Sequence, residues 1–128
     1  MFPSPEYLLV VEPVGNSSGT KWKVVRAFPR FAIDIGFSLR PALAEILGPV
    51  QGRMVDIGLG GFGGVLSTEV NLRQKLAAEF RLPGASEPLQ LKVIVRYHKD
   101  SRYGFEFLDI SREQRDQIRQ ACQDLEII

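Results

Sequence analysis

The sequence predicts a mainly β protein, a small antiparallel barrel or curled sheet of about five or six strands followed by one C-terminal α-helix. Three observations support this all-β class. Apolar side chains alternate with polar or small ones over residues 31–39, 91–97 and 103–107, as on half-buried strands. Short connections rich in glycine and proline separate the predicted strands. A helical period appears only after residue 111.

The composition indicates a single folded domain. The chain has 128 residues, of which 45% are hydrophobic and 24% charged, values typical of a globular protein with its own core. A net charge of +1 argues against binding to DNA or RNA backbones. The longest apolar runs, such as residues 7–11, are too short to span a bilayer, and no basic segment leads an apolar core at the N-terminus. We therefore expect a cytoplasmic protein that does not enter a membrane.

The first predicted elements lie on either side of a turn-rich stretch. Prolines, glycines and serines dominate the first 20 residues, which predicts a short strand or arm at residues 7–11 and then a loop. The alternation over residues 31–39 predicts the first long strand. Pro41 and Gly48 confine residues 42–47 to a connection.

A glycine cluster follows the short strand predicted at residues 53–57. The simplest interpretation of the cluster, residues 58–64, is a tight turn that leads into a second strand at residues 65–67. Residues 74–82 are ambiguous, because alanine and leucine favour a helix while the Pro-Gly pair that follows ends either element. A strand is predicted there.

The C-terminal part predicts a hairpin with a polar turn at residues 99–102. On its first strand, one face carries Leu91, Val93, Val95 and Tyr97, and the other carries Lys92, Arg96 and His98. On its second strand, the alternating side chains are Tyr103, Phe105 and Phe107.

The last element is an amphipathic helix. Ser111 and Gln114 have the spacing of a capping box. Ile118, Cys122 and Leu125 then recur at helical spacing in an otherwise charged segment. This helix is expected to pack on the sheet.

Two arginines precede the first long strand. Arg26 and Arg30 flank the sequence AFP, and Pro29 excludes a regular helix, so the pair is placed on an irregular arm. Guanidinium groups bind phosphate oxygens and the O6/N7 edge of guanine with paired hydrogen bonds. The pair therefore suits a small anionic nucleotide, although two solvated arginines at a domain edge would look the same.

The glycine cluster follows the carboxylate of Asp56 and includes Gly58 and Gly61. Glycine allows backbone N–H groups to approach a ligand closely. A plain hairpin turn is the alternative interpretation.

Rossmann, P-loop and metal sites find little support. Gly58, Gly60 and Gly63 match G-x-G-x-x-G, but no helix start follows and no βαβ series surrounds them. No Gly-Lys-Ser or Gly-Lys-Thr follows the glycines, which excludes a P-loop. With Cys122 and His98 as the single cysteine and histidine, an internal disulfide, a Cys-based zinc site and a two-histidine site are excluded. We expect His98 to be an exposed strand residue, and the protein to be no enzyme.

The segments RAFPR and DIGLGG, one before and one after the first long strand, resemble the Arg-x-x-x-Arg and Asp/Asn-x-Ser-x-x-Gly signatures of the PilZ family. VDIGLGGFGGVL, FRLP and VIVRYHKDSRYGFEFLDI are similar to further segments of that family. The resemblance covers about residues 24–124. It implies a six-stranded antiparallel barrel with a C-terminal helix, and a bacterial domain that binds cyclic di-GMP.

On the matching positions, the resemblance implies that Arg26 and Arg30 hold guanine and phosphate groups, with Asp56, Gly58 and Gly61 in the second motif. Gly58 stands where the family has serine, which removes a hydroxyl donor and weakens binding by about 1 kcal/mol. Many members also have an arginine where this chain has Val25, so the number of ligand molecules held is open.

The sequence thus predicts a non-catalytic cyclic di-GMP receptor that passes the signal to a downstream protein, with no cofactor and as a monomer or weak dimer. Residues 1–23 are predicted to be an N-terminal arm and residues 24–128 the PilZ domain. The arm with Arg26 and Arg30 is expected to be mobile until the ligand closes it over the barrel. The alternative is a degenerate PilZ domain that binds no nucleotide and acts as a protein-interaction module.

Overall fold

The computed structural model describes residues 7–13, 20–26, 28–41 and 48–128, and it describes side chains from residue 28 onward. The predicted connection at residues 42–47 lies outside the described part. The described elements are β1 (Tyr7–Pro13), β2 (Thr20–Arg26), β3 (Phe31–Arg40), β4 (Val50–Ile57), β5 (Gly61–Leu66), β6 (Lys75–Phe80), β7 (Leu89–Lys99), β8 (Arg102–Leu108) and α1 (Arg112–Cys122).

Six of these strands close into a barrel in the order β3-β4-β5-β8-β7-β6, and every neighbouring pair is antiparallel. The barrel closes where residues 38–40 of β3 pair with residues 77–79 of β6. β1 and β2 form a separate antiparallel pair. The six-stranded barrel with a C-terminal helix is confirmed, and the boundary predicted after residue 23 falls inside β2.

Aromatic side chains fill the barrel interior. The Phe62 ring lies 4.8 Å from that of Phe105 and 5.0 Å from that of Phe37, measured between ring centroids. Phe80 and Phe107 extend this cluster. Burial of large rings is the main contribution that so small a barrel makes to its own stability.

Helix α1 begins as predicted. The Ser111 hydroxyl accepts from the Gln114 amide, and the Gln114 side chain accepts from the Ser111 amide, which completes the capping box. Ile118 and Cys122 are buried, and Leu125 packs partly buried against the core. Among the described residues, no helix is long and apolar enough to cross a membrane.

The glycine cluster is mostly strand, which corrects the prediction of a turn leading to a strand at residues 65–67. β5 begins at Gly61, and only residues 58–60 form the turn. The strand is rich in glycine because neighbouring strands leave no room for side chains. A Cβ at Gly64 would lie 2.6 Å from the Phe37 ring, and one at Gly63 would lie 2.8 Å from an Asp56 oxygen. The residues that match G-x-G-x-x-G therefore lie in the turn between two antiparallel strands and in the second of these strands, and they belong to no Rossmann unit.

The predicted face of β7 changes at its end. Leu91, Val93 and Val95 are buried as expected, but Tyr97 is 50% exposed. The pairing of β7 with β8 shifts between Val95 and Tyr97, and such a bulge turns the following side chain to the other face. His98 lies on the same strand but is half-buried, because its ring stacks on Tyr103 at 4.1 Å.

Candidate functional site

Arg30 and Asp56 form a buried ion pair on the outer side of the barrel. Arg30 directly precedes β3, and Asp56 lies near the end of β4, opposite Ala32. The Arg30 Nη1 atom donates to Asp56 Oδ1, and the two side chains are only 3% and 7% exposed. Burial lowers the pKa of the Arg30 guanidinium, whereas the charge of Asp56 and its hydrogen bond oppose that change. The structure thus joins one residue from each predicted motif.

Gly58 permits this contact. A Cβ at Gly58 would lie 2.5 Å from the Pro29 carbonyl oxygen and 3.1 Å from Arg30 Cδ. Real Cβ atoms do not approach backbone oxygens so closely, so a serine at this position requires Pro29 and Arg30 to move. The glycine that replaces the motif serine is therefore the residue that lets the arginine segment lie against the turn.

The other two predicted residues lie at different places. The Gly61 backbone pairs with Glu106 on β8, and a Cβ there would collide with the Phe105 carbonyl oxygen. Arg26 is the last residue of β2 and pairs with Tyr7, so it lies on a strand and not on an irregular arm. Pro29 excludes a helix but allows a strand that ends before it. The Arg26 side chain lies outside the described part of the chain.

Arg102 was missed by sequence reasoning, because it was assigned to a polar turn. It is the first residue of β8, and its Nη2 atom lies 3.8 Å from Asp56 Oδ2. Its side chain is 57% exposed. Asp56 therefore faces a buried guanidinium on one side and an exposed one on the other.

A strip without side chains runs across the barrel beside this carboxylate. The strand register places Asp56 opposite Gly63, Gly63 opposite Gly104, and Gly104 opposite Tyr97. At about 4.8 Å between neighbouring strands, the row spans about 14 Å. Asp56 with its arginines lies at one end of this row and the exposed Tyr97 at the other. The two glycines let these side chains lie close to the strand surface, because a Cβ at Gly63 would lie 2.8 Å from an Asp56 oxygen and one at Gly104 would lie 3.1 Å from Tyr97 Cβ. The row depends on the pairing register of β4, β5, β8 and β7, which the sequence alone does not provide.

Arg30 lies packed against the barrel and not on a solvated arm. Its side chain is buried against Asp56, and its main-chain oxygen accepts from the Ile128 amide at 2.9 Å. This burial is not visible in the sequence, because both partners are distant along the chain. Within the described residues, no group of His, Cys, Asp and Glu side chains is arranged to hold a metal ion.

Comparison with known proteins agrees with this architecture. The family model described as "PilZ domain" matches residues 25–124, which is most of the chain. The chain belongs to the PilZ family. No curated protein sequence matches it significantly.

Solved structures share the PilZ fold at low sequence identity. The PilZ domain of YcgR from Escherichia coli, determined with c-di-GMP, has a TM-score of 0.64 and 18% identity over 78% of this chain and 90% of that one. The inhibitor of motility MotI/DgrA from Bacillus subtilis has a TM-score of 0.65 and 16% identity over 87% of this chain. This PilZ chain spans 55% of the length of that inhibitor. The PilZ domain of CeSA from a cellulose-synthesizing bacterium has a TM-score of 0.57 and 18% identity, over 73% of this chain and 94% of that one.

Proposed function

We propose that this PilZ domain is a cyclic di-GMP receptor that has no catalytic activity, acts in the cytoplasm and passes the presence of the nucleotide to a downstream protein. The observation that carries the proposal is the meeting of Arg30 and Asp56, one from each motif, beside the exposed guanidinium of Arg102. The chain belongs to the PilZ family, and one structure with the same fold, the PilZ domain of YcgR, was determined with c-di-GMP. Both findings support the same ligand here.

The chemistry of the site matches the chemistry of this ligand. Cyclic di-GMP carries two phosphates and two guanines. Guanidinium groups bind phosphate and the guanine O6/N7 edge with paired hydrogen bonds, and a carboxylate accepts from guanine N1–H and N2–H. Arg30 and Arg102 supply the guanidinium groups, and Asp56 supplies the carboxylate. Tyr97, which is half-exposed beside Gly104, offers an aromatic face on which a guanine base can stack.

Ligand entry has a cost in this arrangement, because Arg30 already has a partner. The Arg30 guanidinium has to leave or share Asp56 before it contacts the nucleotide. Arg102, which is more than half exposed, meets an incoming dianion first. Binding is therefore proposed to begin at Arg102 and to end with Arg30 reoriented toward the ligand.

Calorimetric titration with cyclic di-GMP tests this function. The wild-type protein is expected to bind, Arg30→Ala to lose most of its affinity, and Arg102→Ala to bind at least several-fold more weakly. Arg81→Ala, a change at an exposed residue just after β6, serves as the matched control and should bind like wild type. GMP is the control ligand. Absence of binding by the wild-type protein at submillimolar concentration would reject the receptor function.

A protein-interaction module that ignores the nucleotide is the second candidate. The observation that favours it is the burial of Arg30, whose side chain is 3% exposed. A stable protein partner captured equally well with and without cyclic di-GMP, together with no calorimetric signal, would support this alternative.

A further inference from the structure

The C-terminal tail is bound to the segment that carries Arg30. The Ile128 amide donates to the Arg30 carbonyl oxygen at 2.9 Å, and the Ala32 amide donates to the Glu126 carbonyl oxygen at 2.8 Å. Between these bonds, Phe31 and Ile127 form an antiparallel bridge. Residues 126–128, named the tail here, therefore add a short strand to the beginning of β3.

The tail covers an edge that the barrel leaves open. β3 pairs with β4 from Phe31 to Leu39, but its other edge pairs with β6 only at residues 38–40. Among the residues that the structure describes, no other strand pairs with this edge at the start of β3, so the backbone groups there would be unpaired without the tail. The tail satisfies these groups and fixes the backbone from which the Arg30 side chain extends.

The arrangement that the tail fixes is the one in which Arg30 is buried against Asp56. Contact with a ligand requires this guanidinium to leave or share Asp56, and movement of the side chain is easier when its backbone is free to shift. We infer that the C-terminal tail sets the affinity of the site, by holding Arg30 in its ion pair with Asp56 and so favouring the conformation that excludes the nucleotide. This inference rests on the proposed receptor function.

The contacts of the tail are suited to release. Both hydrogen bonds join backbone groups, and the residues Ile127 and Ile128 are 67% and 74% exposed. The side chains thus contribute little buried area at the point of attachment. Loss of the backbone bonds shifts the population toward the open conformation, which lowers the apparent dissociation constant.

Ile128→Pro tests the inference, with Ile128→Ala as the matched control. Proline removes the N–H that donates to Arg30, whereas alanine keeps that N–H and removes only exposed side-chain atoms. Proline also favours an extended conformation at Ile127, the conformation that a residue in an antiparallel bridge already has. The two variants therefore differ mainly in one backbone hydrogen bond.

Ile128→Pro is expected to bind cyclic di-GMP roughly two- to tenfold more tightly than Ile128→Ala, the range that corresponds to one net hydrogen bond. Without nucleotide, amide hydrogen exchange in residues 28–33 is expected to be faster in the proline variant. Equal or weaker binding by Ile128→Pro overturns the inference while the receptor function stands. If the wild-type protein and both variants fail to bind cyclic di-GMP, the receptor function is rejected, and with it the inference, whatever the exchange rates are.

Discussion

Arg30 and Asp56, 26 residues apart in the sequence, form an ion pair that is almost fully removed from solvent. Removal of one member of a buried pair leaves an uncompensated charge, which is costly, whereas the intact pair offsets much of its own desolvation. The pair is therefore both a determinant of stability and the centre of the candidate site.

The first prediction concerns the stability that this pair provides. Arg30→Ala and Asp56→Ala should each lower the free energy of unfolding by about 3–5 kcal/mol, and the double variant should lose much less than the sum. Urea denaturation of the four proteins measures this coupling. The exposed pair of Arg53 and Asp34 provides the control, and Arg53→Ala should leave stability close to wild type. Additive losses at positions 30 and 56 would show that the two side chains do not interact.

The second prediction concerns Gly58. Gly58→Ala and Gly58→Ser place a Cβ against the Pro29 carbonyl oxygen, and each should lower the free energy of unfolding by about 1–3 kcal/mol. Both variants should bind cyclic di-GMP more tightly than wild type, because they disfavour the arrangement in which Arg30 is buried against Asp56. The serine variant should bind more tightly than the alanine variant, because its hydroxyl donates to the ligand. Thermal melts and calorimetry measure both effects. Unchanged stability in both variants would show that Pro29 does not lie against the turn.

The third prediction separates glycines that cross-strand contacts require from those that are replaceable. Gly61→Ala should cost about 3 kcal/mol or more, because its Cβ collides with the Phe105 carbonyl oxygen. At Gly36, also within a strand, the nearest atom to a Cβ is the Gly52 oxygen at 3.9 Å, an ordinary contact. Gly36→Ala should therefore stay within about 1 kcal/mol of wild type in urea denaturation. Similar losses at both positions would contradict the register of β5 and β8.

The fourth prediction concerns the pH dependence of Cys122. Burial raises the pKa of its thiol in the folded protein, so the folded state disfavours the thiolate. The associated stability is fully present below about pH 8.5, the pKa of an unfolded cysteine, and decreases as pH rises from there through the folded pKa. Iodoacetamide should alkylate the folded protein slowly at pH 8.5 and the urea-unfolded protein rapidly. In the Cys122→Ala variant, the free energy of unfolding should decrease less at high pH than in the wild-type protein. Equal alkylation rates would show that the thiol is accessible.

Local patterns in the sequence were sufficient for most of the fold. Alternation identified β3 and the β7–β8 hairpin, and the spacing of Ser111 and Gln114 located the start of α1. These features depend on neighbours within a few residues, so a single sequence reveals them. The same applies to the two motifs, because the family resemblance is carried by short segments.

Features set by distant partners were not visible in this way. Gly64 lies in a strand, and the Phe37 ring on another strand leaves no room there for a Cβ. Without knowledge of that ring, a cluster of glycines is interpreted as a turn. Tyr97 faces outward because of a bulge in the pairing with β8, which alternation alone does not reveal. The Arg30 side chain is paired with Asp56, and its main-chain oxygen with the Ile128 amide, and both partners are distant along the chain.

The central claim is that cyclic di-GMP binds beside the Arg30–Asp56 pair, and NMR titration of the ¹⁵N-labelled protein tests it most directly. The account predicts that saturating ligand shifts the Arg30 Nε–H signal and the backbone amides of Gly58, Gly63 and Gly104, while the amides of residues 85–87, in the loop before β7 and at the other end of that strand from Tyr97, stay unchanged. Saturable shifts confined to other parts of the barrel, or no shifts at all, would contradict it.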